Sequence, residues 1–415
     1  MKRFIGISSF QILAMFRRGL FFSYLTIYLR HYLGLSVTAT TLFTTLPMIV
    51  NVLAQRYAWG VLSDRLQKRR LLIVWGELIA GAGTILLFYA HRLPGEATTS
   101  GWVIITGLAM IEMFWSMSNI GWSALIADVY HQGERSRIMG RLESIGGLGR
   151  VVGILCGGLL YDRMGTAYAG WGFYEGSLFW IAGLIMFISI FPMFLVPEGG
   201  ISATEKIDSL SGHSPSFVPA IFFTFLLAMA LIHFGRNAVT IIIPQYLSLS
   251  AGPALSPLSL SHVINLRSAG LILAGLATGR LCRRIGERVT LVMASGIAVL
   301  ALALMGIFVN IPLICLSSFL MGISEVLVIA ASYELAAAYI PPEKRGTYFA
   351  LFNATLFLSW GIGATLIAGP VTDGLMAIGT PESAAYMAAF IACAAVVLAG
   401  TLVLSVLFRM EKKQE

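Results

Sequence analysis

Gly60-Val61-Leu62-Ser63-Asp64-Arg65-Leu66-Gln67-Lys68-Arg69-Arg70 joins two long apolar runs. The stretch carries one acid and four cations, whereas the flanking runs hold one charge apiece, Arg56 and Glu77. A glycine at the end of an apolar helix lets a second helix approach closely. Asp64, at the end of that helix, can pair with a neighbouring cation or with a helix N-terminus. The Lys/Arg cluster holds the loop on the cytoplasmic side of a bilayer. The plainest reading is a topogenic anchor between two membrane helices, and the rest of the chain tests it.

The chain has 415 residues, 57% apolar and 12% charged, with a mean hydropathy of +0.83. Soluble domains do not have this composition. A bilayer-spanning helix needs ~20 mostly apolar residues. Twelve such runs are present, at 5–30, 38–63, 71–91, 101–128, 137–160, 172–196, 217–247, 259–281, 289–309, 312–339, 346–370 and 384–408. The first opens with Met1-Lys2-Arg3 like a signal peptide. It is too long for one, carries Arg17 and Arg18 in mid-span and lacks a small-residue cleavage site, so it reads as a retained helix.

Charge sets the orientation. With the N-terminus and every second loop cytoplasmic, nineteen of the 28 Lys/Arg fall on that side. Three lie in external loops (Arg30, Arg92, Arg163) and six within spans (Arg17, Arg18, Arg56, Arg150, Arg236, Arg267). That asymmetry places both termini in the cytoplasm. The net charge of +8 is split among loops, which is no nucleic-acid footprint. Cys156, Cys282, Cys315 and Cys393 are scattered over different spans, so neither a disulfide framework nor a metal site is expected. No Gly-x-x-x-x-Gly-Lys-Ser/Thr phosphate loop is present, and no cofactor is expected.

The second half repeats the first. Phe16, Arg18, Tyr28 and Leu29 recur 218 residues later as Phe234, Arg236, Tyr246 and Leu247. Gly60 recurs as Gly279, in Gly279-Arg280-Leu281-Cys282-Arg283-Arg284-Ile285-Gly286-Glu287-Arg288, and Glu112 recurs as Glu325. Near-constant offsets between like residues mark two six-helix halves related by a two-fold along the membrane normal. Residues 1–197 form the first bundle, 198–216 a cytoplasmic linker and 217–415 the second bundle.

The opening stretch resembles the loop motif of the major facilitator superfamily, Gly-x-x-x-Asp-Arg/Lys-x-Gly-Arg-Arg/Lys. Gly60, Asp64, Arg65, Arg69 and Arg70 fit it with a one-residue slip after Leu66. Gln67 stands where the family has glycine, and the second copy restores it at Gly286 while placing Arg283 at the Asp position. The resemblance implies an all-α membrane fold of twelve helices in two pseudo-symmetric bundles. It also implies secondary transport by alternating access, with these loops as a conformational gate. In span 5, Gly149, Gly153, Gly157 and Gly158 match a motif of proton-driven drug exporters, with Ile154 in place of its proline. A small-residue packing face explains the same glycines.

Ionisable side chains at bilayer depth face a partner or a cavity. Arg18 and Arg236 lie near mid-depth in spans 1 and 7, Glu112 and Glu325 in spans 4 and 10. Spans 1, 4, 7 and 10 line the central cavity, as the resemblance implies. Two readings stand: cation–carboxylate pairs facing a substrate, with a Glu that takes up a proton, or fixed salt bridges within each bundle. Tyr28, Trp115, Asn119, Asn353 and Trp360 complete the expected cavity lining. Glu77 and Glu143 are expected to partner the basic loops.

Four functional classes compete. Aromatics and Met with a few buried charges suit a proton-coupled exporter of small amphiphilic solutes from the plasma (inner) membrane. The two-fold-related arginines suit instead an uptake or exchange carrier for an anionic metabolite. A receptor or scaffold has no need of charges matched in depth. No nucleophile–base pair or metal cluster supports an enzyme. The expected partners are a small-molecule substrate, protons and the lipid bilayer, with the chain a monomer.

Overall fold

A computed structural model describes the backbone of residues 2–130, 132–199, 219–340 and 345–414. Side chains at 64, 127, 132–137, 139, 140, 143, 345–347, 349, 350 and 412–414 are outside the description. Asp64 and Glu143 are therefore placed by backbone only, and nearly all of the expected linker lies outside the described residues.

Apolar runs of this length form helices because a helix satisfies its own backbone hydrogen bonds where no water is present. The first half comprises α1 (Lys2–Ile27), α2 (Val37–Ala54), α3 (Gly60–Leu66), α4 (Arg69–His91), α5 (Ala97–Val129), α6 (Gln132–Tyr161), α7 (Trp171–Tyr174) and α8 (Ser177–Met193). The second comprises α9 (Pro219–Ala238), α10 (Ile242–Ser248), α11 (Pro257–Ile285), α12 (Glu287–Ile307), α13 (Ile311–Tyr339), α14 (Arg345–Phe357), α15 (Gly369–Ala377) and α16 (Glu382–Gln414). Among the described residues ten helical segments are long and apolar enough to cross a bilayer. A pair bent by 52°, Leu351–Trp360 with Ala364–Ala377, adds an eleventh, and the shorter α8 occupies the sixth expected run. The architecture is the all-α membrane fold expected from the twelve apolar runs. Span 7 is interrupted between α9 and α10, and span 11 breaks after a 3-10 turn at Leu358–Trp360.

The helices pack into two units, one of residues 1–35, 42–209 and 257–261, the other of 36–41, 210–256 and 262–415. In the first, α1 lies along α6 and α8, and α4 along α5 and α8. In the second, α16 lies along α9 and α12, and α12 along α13. The second unit also holds the first turn of α2, whose free N–H groups need acceptors. Asp373 accepts from the N–H of Val37 at 2.9 Å and of Thr38 at 2.7 Å.

The two loop motifs obtain their turns differently. Gln67 ends α3 in the left-handed region, φ 52°. Gly286 precedes α12 at φ 83°, ψ 157°, a conformation close to glycine-only. Gly60 does not admit a second helix as expected. A Cβ there would meet the Gln55 carbonyl, because Gln55–Trp59 is a π turn that wraps back on it. Gly279 has open space around it, so it marks no close approach either. These sites make opposite predictions. Gly286→Ala should cost about 1–3 kcal/mol through backbone strain alone. Gly279→Ala, in a helix and unobstructed, should gain up to ~1 kcal/mol. Thermal unfolding of the two variants in detergent measures both.

Candidate functional site

In the first unit, α1 and α5 bring a charged cluster together around one indole. The guanidinium carbons of Arg17 and Arg18 each lie 4.6 Å from the Trp115 ring centroid. Arg17 is the buried member, 7% exposed, while Arg18 is exposed. Adjacent helical residues point roughly 100° apart. Arg17, which was not expected there, lines a small enclosed cavity, and Arg18 reaches the same tryptophan from its exposed side.

The cavity is small, ≈ 30 Å³, and Arg17, Pro47, Thr84, Glu112 and Trp115 are among its walls. Glu112 accepts a hydrogen bond from Asn51 Nδ2, and Asn51 Oδ1 accepts from Gln55 Nε2 at 2.7 Å. The charges of Arg18 and Arg17 both act on Glu112. Glu77 does not serve the basic loops as expected. It is buried, and its Oε1 accepts from Trp115 Nε1 at 2.9 Å and Ser118 Oγ at 2.8 Å. Two guanidiniums and two carboxylates thus balance.

Other expected lining residues sit elsewhere. Tyr28 is fully buried in an aromatic core, stacked on Tyr32 and Phe173 with its hydroxyl 3.4 Å from His91 Nε2. Its repeat partner Tyr246 is equally buried, against Tyr386 and Phe390. That pair of repeated tyrosines is core packing. Asn119 is half-buried and does not line the cavity.

The second unit holds an unequal cluster. Glu325 Oε2 meets Arg267 twice, at 2.9 Å from Nε and 2.8 Å from Nη2, but Arg236 Nη1 only at 3.7 Å. The expected pairing of Glu325 with Arg236 is present as the longer contact, and Arg267 of α11, which was not expected there, is the closer partner. Arg267 also donates to Thr240 Oγ1 at 3.1 Å and lies 5.6 Å from the Trp360 ring centroid. Asn237 donates to Ser359 Oγ at 2.7 Å. Trp360 thus joins the cluster, but Asn353 is exposed along with Phe357. The 3-10 turn after Phe357 breaks the regular helical register between Asn353 and Trp360.

At the helix ends the loop cations have defined partners. Arg69 is buried. Its Nε lies 3.2 Å from Asp128 Oδ2, its Nη1 donates to the Ser63 carbonyl and hydroxyl, and its Nη2 donates to Gln67 Oε1 at 3.1 Å. Arg70 donates to Glu198 Oε2 at 3.0 Å, and Arg65 is exposed. The second unit repeats the Arg70–Glu198 bridge as Arg288–Glu411, at 3.2 Å. This symmetry follows the spacing of the internal repeat.

The glycine stripe of α6 lies against α1. Cβ atoms at Gly149, Gly153 and Gly157 would overlap the carbonyl oxygens of Ile12, Phe16 and Leu20, and one at Gly158 would meet the Tyr24 hydroxyl. Ile154 leaves the helix unbroken across this contact.

Solved structures share the fold at low identity. The nucleoside transporter NupG superposes with a TM-score of 0.71 at 13% identity, over 98% of this chain and 99% of that one. A peptide transporter POT in complex with sulfate gives 0.68 at 15%, over 98% and 94%. A bacterial homologue of the iron transporter ferroportin in the inward-facing state gives 0.68 at 15%, over 96% and 98%. No curated protein matches the sequence. The family model of the Major Facilitator Superfamily matches residues 7–252 and 225–415. With that match extending over almost the entire sequence, this chain belongs to the Major Facilitator Superfamily.

Proposed function

We propose that the protein is a proton-coupled secondary transporter that exports a small organic solute by alternating access. Glu112 is the proton carrier, and one observation carries the reading. Glu112 stands in the wall of a cavity with Arg17, and its hydrogen-bond partner is the amide of Asn51. An amide serves both protonation states, donating to the carboxylate or, once turned, accepting from the acid. Gln55, next in the series, can turn with it. Arginine does not release a proton, so the carboxylate must carry it. Efflux is supported by the glycine stripe of α6, which follows the exporter motif at every glycine.

Glu112→Gln should abolish accumulation driven by a pH gradient while leaving substrate exchange intact, because Gln mimics the protonated acid. The check is proteoliposome flux of whichever solute the unsubstituted protein accumulates from a cationic, neutral and anionic panel. Accumulation by the variant that still scales with the imposed pH difference would remove Glu112 from the role.

The protein is placed in the plasma (inner) membrane as a monomer, with both termini and the 198–216 linker cytoplasmic. The orientation rests on the Lys/Arg asymmetry. An impermeant thiol reagent applied to intact cells should label a cysteine introduced at Ser256 and spare one at Ser209. Labelling at Ser209 without permeabilisation would reverse the orientation.

A further inference from the structure

Among the described residues, the charges of the α9–α11–α13 cluster do not balance. Arg236 and Arg267 bring two positive charges and Glu325 one negative, which leaves the cluster at +1 (2 − 1). The close geometry goes to Arg267, whose Nε and Nη2 both reach Glu325 Oε2. Arg236 is 0% exposed, and none of its Nε, Nη1 and Nη2 atoms has a hydrogen-bond partner. Glu325, at 3.7 Å, attracts it without bonding to it. A buried guanidinium carries five N–H donors in a rigid fork, and burial without acceptors is strongly unfavourable. The neighbouring polar atoms are unmet too. His233 Nδ1 and Nε2 and Asn237 Oδ1 are buried without partners. His233, Arg236 and Asn237 stand at i, i+3 and i+4, on one face of α9.

We propose that this face of α9 binds an oxyanion, the carboxylate or phosphate group of the transported solute, with Arg236 as its main ligand. The fork of Arg236 grips two oxygens side by side, which a lysine cannot do. The anion supplies the missing negative charge and leaves Glu325 to Arg267. Arg267 is held by Thr240 and by the Trp360 ring, so it stays in place as the second positive charge. Asn237, fixed through Ser359, offers Oδ1 to a donor on the ligand. Arg236 is enclosed in this state, so binding occurs in a state where the helices around it part, which the transport cycle supplies. The inference rests on the transporter reading and is independent of its proton step.

The test is binding to the full purified chain in detergent at constant ionic strength. Sodium phosphate and sodium benzoate are titrated against sodium chloride, with thermal unfolding and calorimetry as readouts. Phosphate, benzoate or both should raise the melting temperature saturably, with chloride inert. A response to one alone assigns the site to that group. Arg236→Gln should lose the effect. Should that variant not fold, Arg236→Lys keeps the charge without the fork and should bind about tenfold more weakly. Gly147→Ala, far from this face and unobstructed, should bind like the unsubstituted protein, and because equilibrium binding needs no pH gradient the result separates this site from proton coupling. Absence of any anion effect beyond chloride overturns the proposal, as does undiminished binding in either Arg236 variant.

Discussion

Arg69→Ala is expected to leave little folded protein. The side chains of Arg69 and Asp128 are 5% and 9% exposed, and they meet at 3.2 Å. Removing the cation breaks this buried ion pair, and breaking such a pair costs about 3–5 kcal/mol. The loss extends further, since Arg69 also satisfies the Ser63 carbonyl and hydroxyl and Gln67 Oε1. These acceptors form the turn between α3 and α4, so one guanidinium ties that turn to the end of α5. Arg70→Ala should cost far less. Its bridge to Glu198 is about one-third exposed on both sides, and exposed pairs contribute ~0–1 kcal/mol. Asp128→Ala added to Arg69→Ala should recover part of the loss, because both members of the buried pair are then removed together. Melting temperatures of the three variants by fluorescence-detected gel filtration give the comparison. If Arg69→Ala melts no lower than Arg70→Ala, the buried pair is not what holds the loop.

Gly153→Val should disrupt the first unit as severely. The Cβ would overlap the Phe16 carbonyl oxygen and lie 2.8 Å from the Phe16 carbonyl carbon and 3.0 Å from Leu20 N. These are backbone atoms of α1, which cannot rotate away. The cost therefore exceeds the ~1–3 kcal/mol of an extra methylene pressed against movable side chains. Relief would require α1 to move off α6, a contact that Gly149 and Gly157 repeat one turn either side. Gly147 provides the control. It lies in the same helix with nothing near it, and Gly147→Ala should be neutral or gain up to ~1 kcal/mol. The fraction of monodisperse protein after extraction reads both. Equal yields for Gly153→Val and Gly147→Ala would show that the stripe is not a packing face.

The amino-acid sequence alone determined what depends on composition and period. Twelve apolar runs specify an all-helical membrane chain, because only internally bonded helices suit such segments in lipid. The like residues recurring at offsets of 213–219 specify the two-fold repeat. The buried charges were legible as a set, since charge in an apolar run is conspicuous.

Their partners were not legible, because pairing depends on direction as well as depth. Arg17 and Arg18 are neighbours in the chain, yet only the tertiary fold decided that Arg17 faces the cavity. Depth alone matched Glu325 with Arg236. The rotation of α11 against α13 gave its close contacts to Arg267 instead. The repeat suggested equivalent roles for Arg18 and Arg236, but one is exposed and the other wholly enclosed. A repeated sequence calls for a like backbone within each half, whereas burial is set by whichever side chains neighbouring helices bring. Gly60 shows the same limit within one helix. Its spacing is that of the loop motif, but its need for glycine arises from a π turn five residues earlier, which no residue pattern announces.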